Sequence, residues 1–268
     1  MTRKRADVYL VEAGIVESRE QARRLINEGK VFADGKPVGK PASLIEDGSH
    51  ITVLEPTTYV SRGGLKLEKA LHEFAINPEG KFCVDVGAST GGFTDCLLRH
   101  GARRVVAIDV GYGQLAWSLR QNPKVVVMER TNIRYVAPAD LEEPADLVTV
   151  DASFISLEKI LESILNLMKP DGELIALVKP QFEAGRERIG KKGVVKDPEV
   201  HKDILMHIWD HFKKSGLFVK GLIYSPIKGP EGNIEFLIYA SRIGPGIPEE
   251  DKAGIVDNIV EKAHEELS

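Results

Sequence analysis

Hydrophobic and polar positions follow two different rhythms along the chain. From Lys81 onward, short apolar runs alternate with stretches in which apolar residues recur every three or four positions, the pattern of strands separated by amphipathic helices. The runs predict strands at 82–86, 105–110, 125–129, 147–151, 173–179, 219–224 and 234–240. Only SPIKGPEGN separates the last two, which is short enough for a hairpin. They are therefore antiparallel, and the final strand enters an otherwise parallel, doubly wound α/β sheet in reverse. Residues 1–56 read differently. A helix ends at Gly14, a second opens at Ser18 as N-cap, a turn at Gly29 leads to a strand over 31–33, and Asp34-Gly35 signals a hairpin. This predicts a small α+β domain over 1–58, a main domain over 59–245, and an acidic C-terminal helix or tail over 246–268.

The 268 residues include 36 Lys and Arg, 40 Asp and Glu, and 43% apolar residues, which is globular composition with room for two unequal domains and excludes a disordered or fibrous chain. Net charge is −4, unevenly spread: residues 246–268 hold seven acids against Lys252 and Lys262, so the remainder sums to +1. Two basic stretches, the first thirty residues and 186–196, change the expectation about partners, because local patches matter more than overall charge for nucleic-acid contact. Two cysteines, Cys83 and Cys96, form no CxxC pair, which excludes a disulfide framework or cysteine zinc site and leaves them as packing residues. No run reaches the roughly 18 to 20 apolar residues of a spanning helix, and residues 2–5 lead into Asp7 rather than a signal-peptide core. A soluble, unsecreted, cytoplasmic protein is expected.

On the second N-terminal helix, Arg19 and Arg23 share a face, with Arg24 beside them, while Ala22, Leu25 and Ile26 turn inward. Such a face suits phosphate, and equally a solvated surface. The arrangement around Ser18, Arg19, Ala22, Gly29, Val31, Gly35, Lys40 and Pro41 resembles the RNA-binding module named after small-subunit ribosomal protein S-four. The resemblance implies binding of structured RNA by shape and phosphate, with Arg3, Arg5, Arg19, Arg23, Arg24 and Lys40 as candidate contacts.

In the main domain, DVGASTGGFTD follows the first apolar strand and opens a helix, so its glycines let a ligand approach helix amides. Such a turn fits a dinucleotide, S-adenosylmethionine, or no ligand at all. Asp109, at the end of the second strand, adds a carboxylate able to accept both ribose hydroxyls. GASTGGF departs from GxGxxG and is similar to the first motif of class I methyltransferases, whose sheet also carries one reversed strand. This points to S-adenosylmethionine, held by Gly87, Ala88, Ser89, Thr90, Gly91, Gly92, Phe93 and Asp109. Asp85 would hold either the loop or the methionine amine. Thr131, Asn132 and Ile133 could flank an adenine or simply cap a loop.

Lys66, Asp151, Lys179 and Glu235 belong together by topology. Asp151 and Lys179 end parallel strands at the carboxyl edge, Glu235 begins the reversed strand at that same edge, and Lys66 lies at a helix start after Gly63 and Gly64. A lysine is a poor base at neutral pH unless a neighbouring cation and desolvation lower its proton affinity, a part Lys66 could play for Lys179, with the two carboxylates orienting the pair. The expected step is proton removal from a ribose 2′-hydroxyl by Lys179, followed by in-line attack on the sulfonium methyl. The order Lys, Asp, Lys, Glu resembles the FtsJ-type ribose 2′-O-methyltransferases. With SRGGLKL, VDASFISL and LVKPQFE and the S-four-like module, the whole chain resembles the TlyA (hemolysin A) family. That resemblance implies cytidine 2′-O-methylation on ribosomal RNA of either or both subunits.

Residues 184–198 combine glycines with Arg186, Arg188, Lys191, Lys192 and Lys196 and read as a mobile flap over RNA phosphates or a plain solvated loop; Arg62 is a further candidate RNA contact. His207 and His211 are one helical turn apart without an evident third ligand, so no metal is expected. A membrane-active hemolysin and a noncatalytic ribosome-assembly factor are the rival readings; the first lacks a spanning segment, the second leaves the four charged residues unexplained.

Overall fold

The computed structural model describes residues 3–16, 18–27, 29–53, 59–190 and 193–267. The chain divides into two compact units, Met1–Thr58 and Tyr59–Ser268. The first contains β1 (Arg3–Arg5), α1 (Ala6–Glu12), α2 (Arg19–Asn27), β2 (Val31–Ala33), β3 (Lys36–Pro37), β4 (Leu44–Glu46) and β5 (Ile51–Val53). The Ser18 hydroxyl accepts the Gln21 amide at 3.2 Å, so α2 starts where its N-cap dictates. Asp34 and Gly35 both have positive φ, 50° and 75°, which is what a type I′ hairpin between β2 and β3 requires. Ala6 and Leu10 of α1 close with Ala22, Leu25 and Ile26 of α2 over Val31, Val38 and Ile45, a small core of its own. β4 and β5 escape the hydrophobic pattern because strands of three residues with at most one buried side chain show no period.

The second unit runs α3 (Gly63–Glu73), β6 (Phe82–Val86), α4 (Gly92–Arg99), β7 (Arg104–Ile108), α5 (Trp117–Arg120), β8 (Val125–Met128), β9 (Ala145–Val150), α6 (Glu158–Leu167), β10 (Met168–Val178), α7 (Pro180–Glu183), α8 (Pro198–Lys214), β11 (Phe218–Tyr224), β12 (Phe236–Ser241) and α9 (Glu249–Leu267). Its seven-stranded sheet has the order β11-β12-β10-β9-β6-β7-β8. All pairings are parallel except those of β12, which runs against both β10 and β11. Every predicted strand is present, with shifted ends: Asp151 and Lys179 fall just after β9 and β10, and Glu235 just before β12. Three of the four candidate charged residues thus lie at the carboxyl edge but outside the ladder.

Helices cover both faces, which is why β6 is buried at all five positions. On one face α6 and α8 contribute Ile160, Leu161, Ile164, Trp209 and Phe212. On the other, Leu67 and Leu71 of α3 meet Phe93 and Leu97 of α4 over Cys83, Leu147, Ile175 and Leu237. Each such large apolar side chain contributes about 1.5 to 3 kcal/mol of transfer free energy. Both cysteines are buried and unpaired, and burial pushes their thiols up to about 12, so they pack rather than react. Residues 246–268 do not form a separate tail. Val256, Val260 and Ala263 of α9 belong to the core of the second unit, a stripe at helical spacing hidden among the acids.

Candidate active site

The turn after β6 is shaped by what lies under it. Gly87 has φ +84°, and a Cβ there would stand 2.7 Å from the Asp151 carbonyl oxygen, so this crossing over the end of β9 admits only glycine. At Gly92 a Cβ would meet the Ser61 hydroxyl at 2.3 Å and the Gly64 amide nitrogen at 2.8 Å, which lets the first turn of α4 touch the start of α3. Asp109, just past β7, accepts the Ser89 amide at 2.7 Å and the Gly111 amide at 2.6 Å, one on each carboxylate oxygen. A carboxylate has about four acceptor positions, so two remain for a diol.

Between these elements lies a cleft of about 530 Å³, lined by Gly87, Ser89, Asp109, Asn132, Ile133 and Asp151, among others. A smaller cavity of about 200 Å³, lined by Arg62, Lys66, residues 87–90 and Asp151, shares Gly87, Ser89 and Asp151 with it. The larger volume, about 530 Å³, falls in the range of small-molecule sites, roughly 300 to 1,000 Å³. Glycine where a ligand must approach the backbone, a diol-accepting carboxylate and a buried apolar wall at Ile133 fit a nucleoside with a charged tail. These residues suit S-adenosylmethionine.

The four charged residues form two ion pairs. Lys66 Nζ meets Glu235 Oε2 at 2.5 Å, with side chains 9% and 1% exposed. Lys179 Nζ meets Asp151 Oδ1 at 2.6 Å and donates to the Ser153 hydroxyl at 2.8 Å. Each ammonium is thus engaged by its own carboxylate. Lys66 and Asp151 line the same cavity, whereas Glu235 is fully buried and reaches it only through Lys66. The register explains the closeness: Val178 pairs with Phe236, which brings their neighbours Lys179 and Glu235 to the same edge.

Among the predicted cofactor residues, Ala88, Ser89, Thr90, Gly92 and Phe93 line the smaller cavity. Two do not line either cavity. Gly91, at φ +98°, packs against Leu119 and Leu115 and serves the turn. Asp85 is fully buried; its carboxylate accepts Thr94 Oγ1 at 2.6 Å and Thr149 Oγ1 at 3.1 Å, so of its two expected roles it takes the loop-holding one. Burial pushes Asp85 up to about 7. Asn132 lines the larger cleft and also caps a short turn, its side chain accepting the Arg134 amide.

The predicted RNA contacts divide. Arg3 is paired with Glu46, and Arg5, Arg19 and Arg23 all with Asp7. Arg188 is paired with Asp203 at 2.5 Å. Lys40 is exposed, and Arg62 stands exposed at the mouth of the smaller cavity. Lys191 and Lys192 lie outside the described residues, as do the side chains of Arg24 and Arg186. What is described of 184–198 is anchored rather than free: Val195 is buried and its amide donates to Asn233 Oδ1 at 2.9 Å. His207 and His211 both approach Glu158, and no metal-holding group occurs among the described residues. No sequence signal marks Ser153 and Gln114, which line the cleft, Lys228, which lines the smaller cavity, or Phe154, 91% exposed beside the cleft with φ +65°. Polar residues in loops carry no periodic signal, and Phe154 reads as an ordinary apolar position.

Known proteins resemble the chain along most of its length. The FtsJ-like methyltransferase family matches residues 59–242. The chain belongs to that family. Its methyl donor is S-adenosylmethionine, as the cleft chemistry indicates, and an S4 domain matches residues 4–51. Among relatives of this FtsJ-like methyltransferase, the 16S/23S rRNA (cytidine-2′-O)-methyltransferase TlyA of Mycobacterium tuberculosis is 46% identical, covering 88% of the chain and 89% of that protein. Hemolysin A of Brachyspira hyodysenteriae is 41% identical over 88% of the chain and 98% of its own length. A solved structure of a hemolysin-named protein from Streptococcus thermophilus superposes with a TM-score of 0.77 at 42% identity, covering 99% of the chain and 97% of that one. Among the described residues no helix is long and apolar enough to cross a membrane.

Proposed function

We propose that the chain methylates the ribose 2′-hydroxyl of a cytidine in ribosomal RNA, in the cytoplasm, with the N-terminal unit gripping the RNA. The observation that carries this reading is the adjacency of a diol-accepting carboxylate, Asp109, and a lysine–aspartate pair, Lys179–Asp151, along one sheet edge. Bound S-adenosylmethionine supplies an electrophilic sulfonium methyl and departs as a neutral thioether, so alignment matters more than acid catalysis. Asp151 and Ser153 fix Nζ of Lys179 at the cleft, and in its amine form Lys179 takes the 2′ proton. Glu235 holds Lys66 rigidly in the wall of the smaller cavity, which shares Asp151 with the cleft, and there its ammonium steadies the oxygen that loses the proton. The relatives named as rRNA (cytidine-2′-O)-methyltransferases support the choice of nucleotide and substrate class.

The test is incubation of purified ribosomal subunits with labelled S-adenosylmethionine, followed by mapping of the modified nucleotide. One ribose-methylated cytidine is expected; label on a base, or none on either subunit, would refute the assignment. Dye release from liposomes without cofactor would instead support the membrane-active reading.

A further inference from the structure

Three arginines of the N-terminal unit converge on one carboxylate. Asp7 Oδ1 and Oδ2 accept Arg5 Nε at 3.0 Å and Nη2 at 3.2 Å, while Oδ2 also accepts Arg19 Nη2 at 2.8 Å and Arg23 Nε at 3.2 Å. The arginine side chains are 47%, 52% and 54% exposed, yet Asp7 is 0% exposed: the guanidinium groups themselves close it off near the surface of a small unit. The hydrogen bonds from Arg5 and then Arg19 hold its carboxyl far below the usual carboxylate range, so it stays charged under all ordinary conditions.

We infer that Asp7 is a positioning residue for RNA binding, a buried anion that fans three guanidinium groups into a fixed array for the phosphate backbone. This rests on the reading of the N-terminal unit as the RNA grip. Coulomb's law alone points the other way, since deleting a negative charge from a phosphate-binding face should tighten binding. Two effects therefore compete. An anion within several ångströms of a phosphate repels it weakly across solvent and salt. Against that, three arginines without an anchor repel one another and recover rotamer freedom, which must be lost again when RNA binds. Each guanidinium has five N–H donors and spends one or two on Asp7, so the rest stay available in a defined orientation. The ordering cost is met once, on folding, and the organising effect exceeds the screened repulsion.

The experiment measures binding of the full chain to a fluorescent in-vitro transcript of large-subunit ribosomal RNA, across a salt series. For Asp7→Asn, affinity should drop about tenfold while the slope of log K against log salt stays that of the parent, because the cations remain. For an Arg19→Ala, Arg23→Ala pair, both affinity and slope should fall, the slope by about one to two. Unchanged or tighter binding by Asp7→Asn overturns the organising role. If the arginine pair also binds like the parent, the RNA-grip reading fails instead, so the two failures are distinguishable. Should Asp7→Asn not fold, the parent chain decides alone: without RNA, the Arg5 and Arg23 Nε–H resonances should be sharp and slow to exchange with solvent. Averaged, rapidly exchanging signals there would overturn the proposal.

Discussion

Replacing Lys66 by Met leaves the Glu235 carboxylate without its partner at 1% exposure. Breaking a buried pair from one side costs about 3 to 5 kcal/mol, whereas replacing both members by apolar groups of similar volume is often neutral or stabilising. Lys66 lines a cavity and is 9% exposed, so water can partly compensate and the cost should fall at the lower end, about 3 kcal/mol. For a unit of this size that is about 6 to 12 °C in Tm. Lys66→Met should therefore melt early, and Lys66→Met with Glu235→Met should return to within about 1 kcal/mol of the parent. Buried Trp209 reports the unfolding of this core by fluorescence in a denaturant series. Methyl transfer measured on the same proteins separates stability from chemistry: the double variant should be stable and still inactive, because the cavity wall has lost its cation. A double variant as unstable as the single one would refute the pairing energetics. Recovered methyl transfer would reduce Lys66 to a structural role.

Lys179→Ala should abolish methyl transfer while calorimetric binding of S-adenosylhomocysteine changes by less than about threefold; comparable activity would remove Lys179 from the role of base. Asp109→Ala loses two amide clamps and the diol acceptor together, so binding of the same ligand should weaken at least about a hundredfold. Asp85 titrates at about 7 in the folded chain against 3.8 for the free group, so the folded form binds the proton more tightly. The stability this gives is complete below about pH 4 and lost as pH rises to about 7. Asp85→Asn removes that dependence: its urea midpoint should match the parent's near pH 4 and exceed it increasingly up to pH 7, and a gap that shrinks with rising pH would contradict the burial argument.

Strand topology alone makes much of the site legible in the sequence. Counting strand directions puts Asp151, Lys179 and Glu235 at one edge, and the distance beyond the glycine turn puts Asp109 there too. What sequence could not convey is which charge answers which. The pairing of Lys66 with Glu235, 169 positions apart, follows from helix packing that no local pattern encodes. Asp7 is harder still: nothing local in the sequence marks it as buried, and it is enclosed only because residues 5, 19 and 23 converge on it. In α9, seven acids conceal Val256, Val260 and Ala263, because mean polarity masks a narrow stripe.

The reversed direction of β12 has an architectural consequence. Residues that follow strands and one that precedes a strand share an edge, so the connection from β11 to β12 reaches the smaller cavity, where Ile227, Lys228 and Pro230 form part of the lining. Ser225 and Glu235 are joined by a backbone hydrogen bond of 2.8 Å, which closes the base of that connection. A Cβ at Gly229 would stand 2.5 Å from Glu235 Oε1, so the connection can vary without pressing on that carboxylate only beyond Gly229, at its tip.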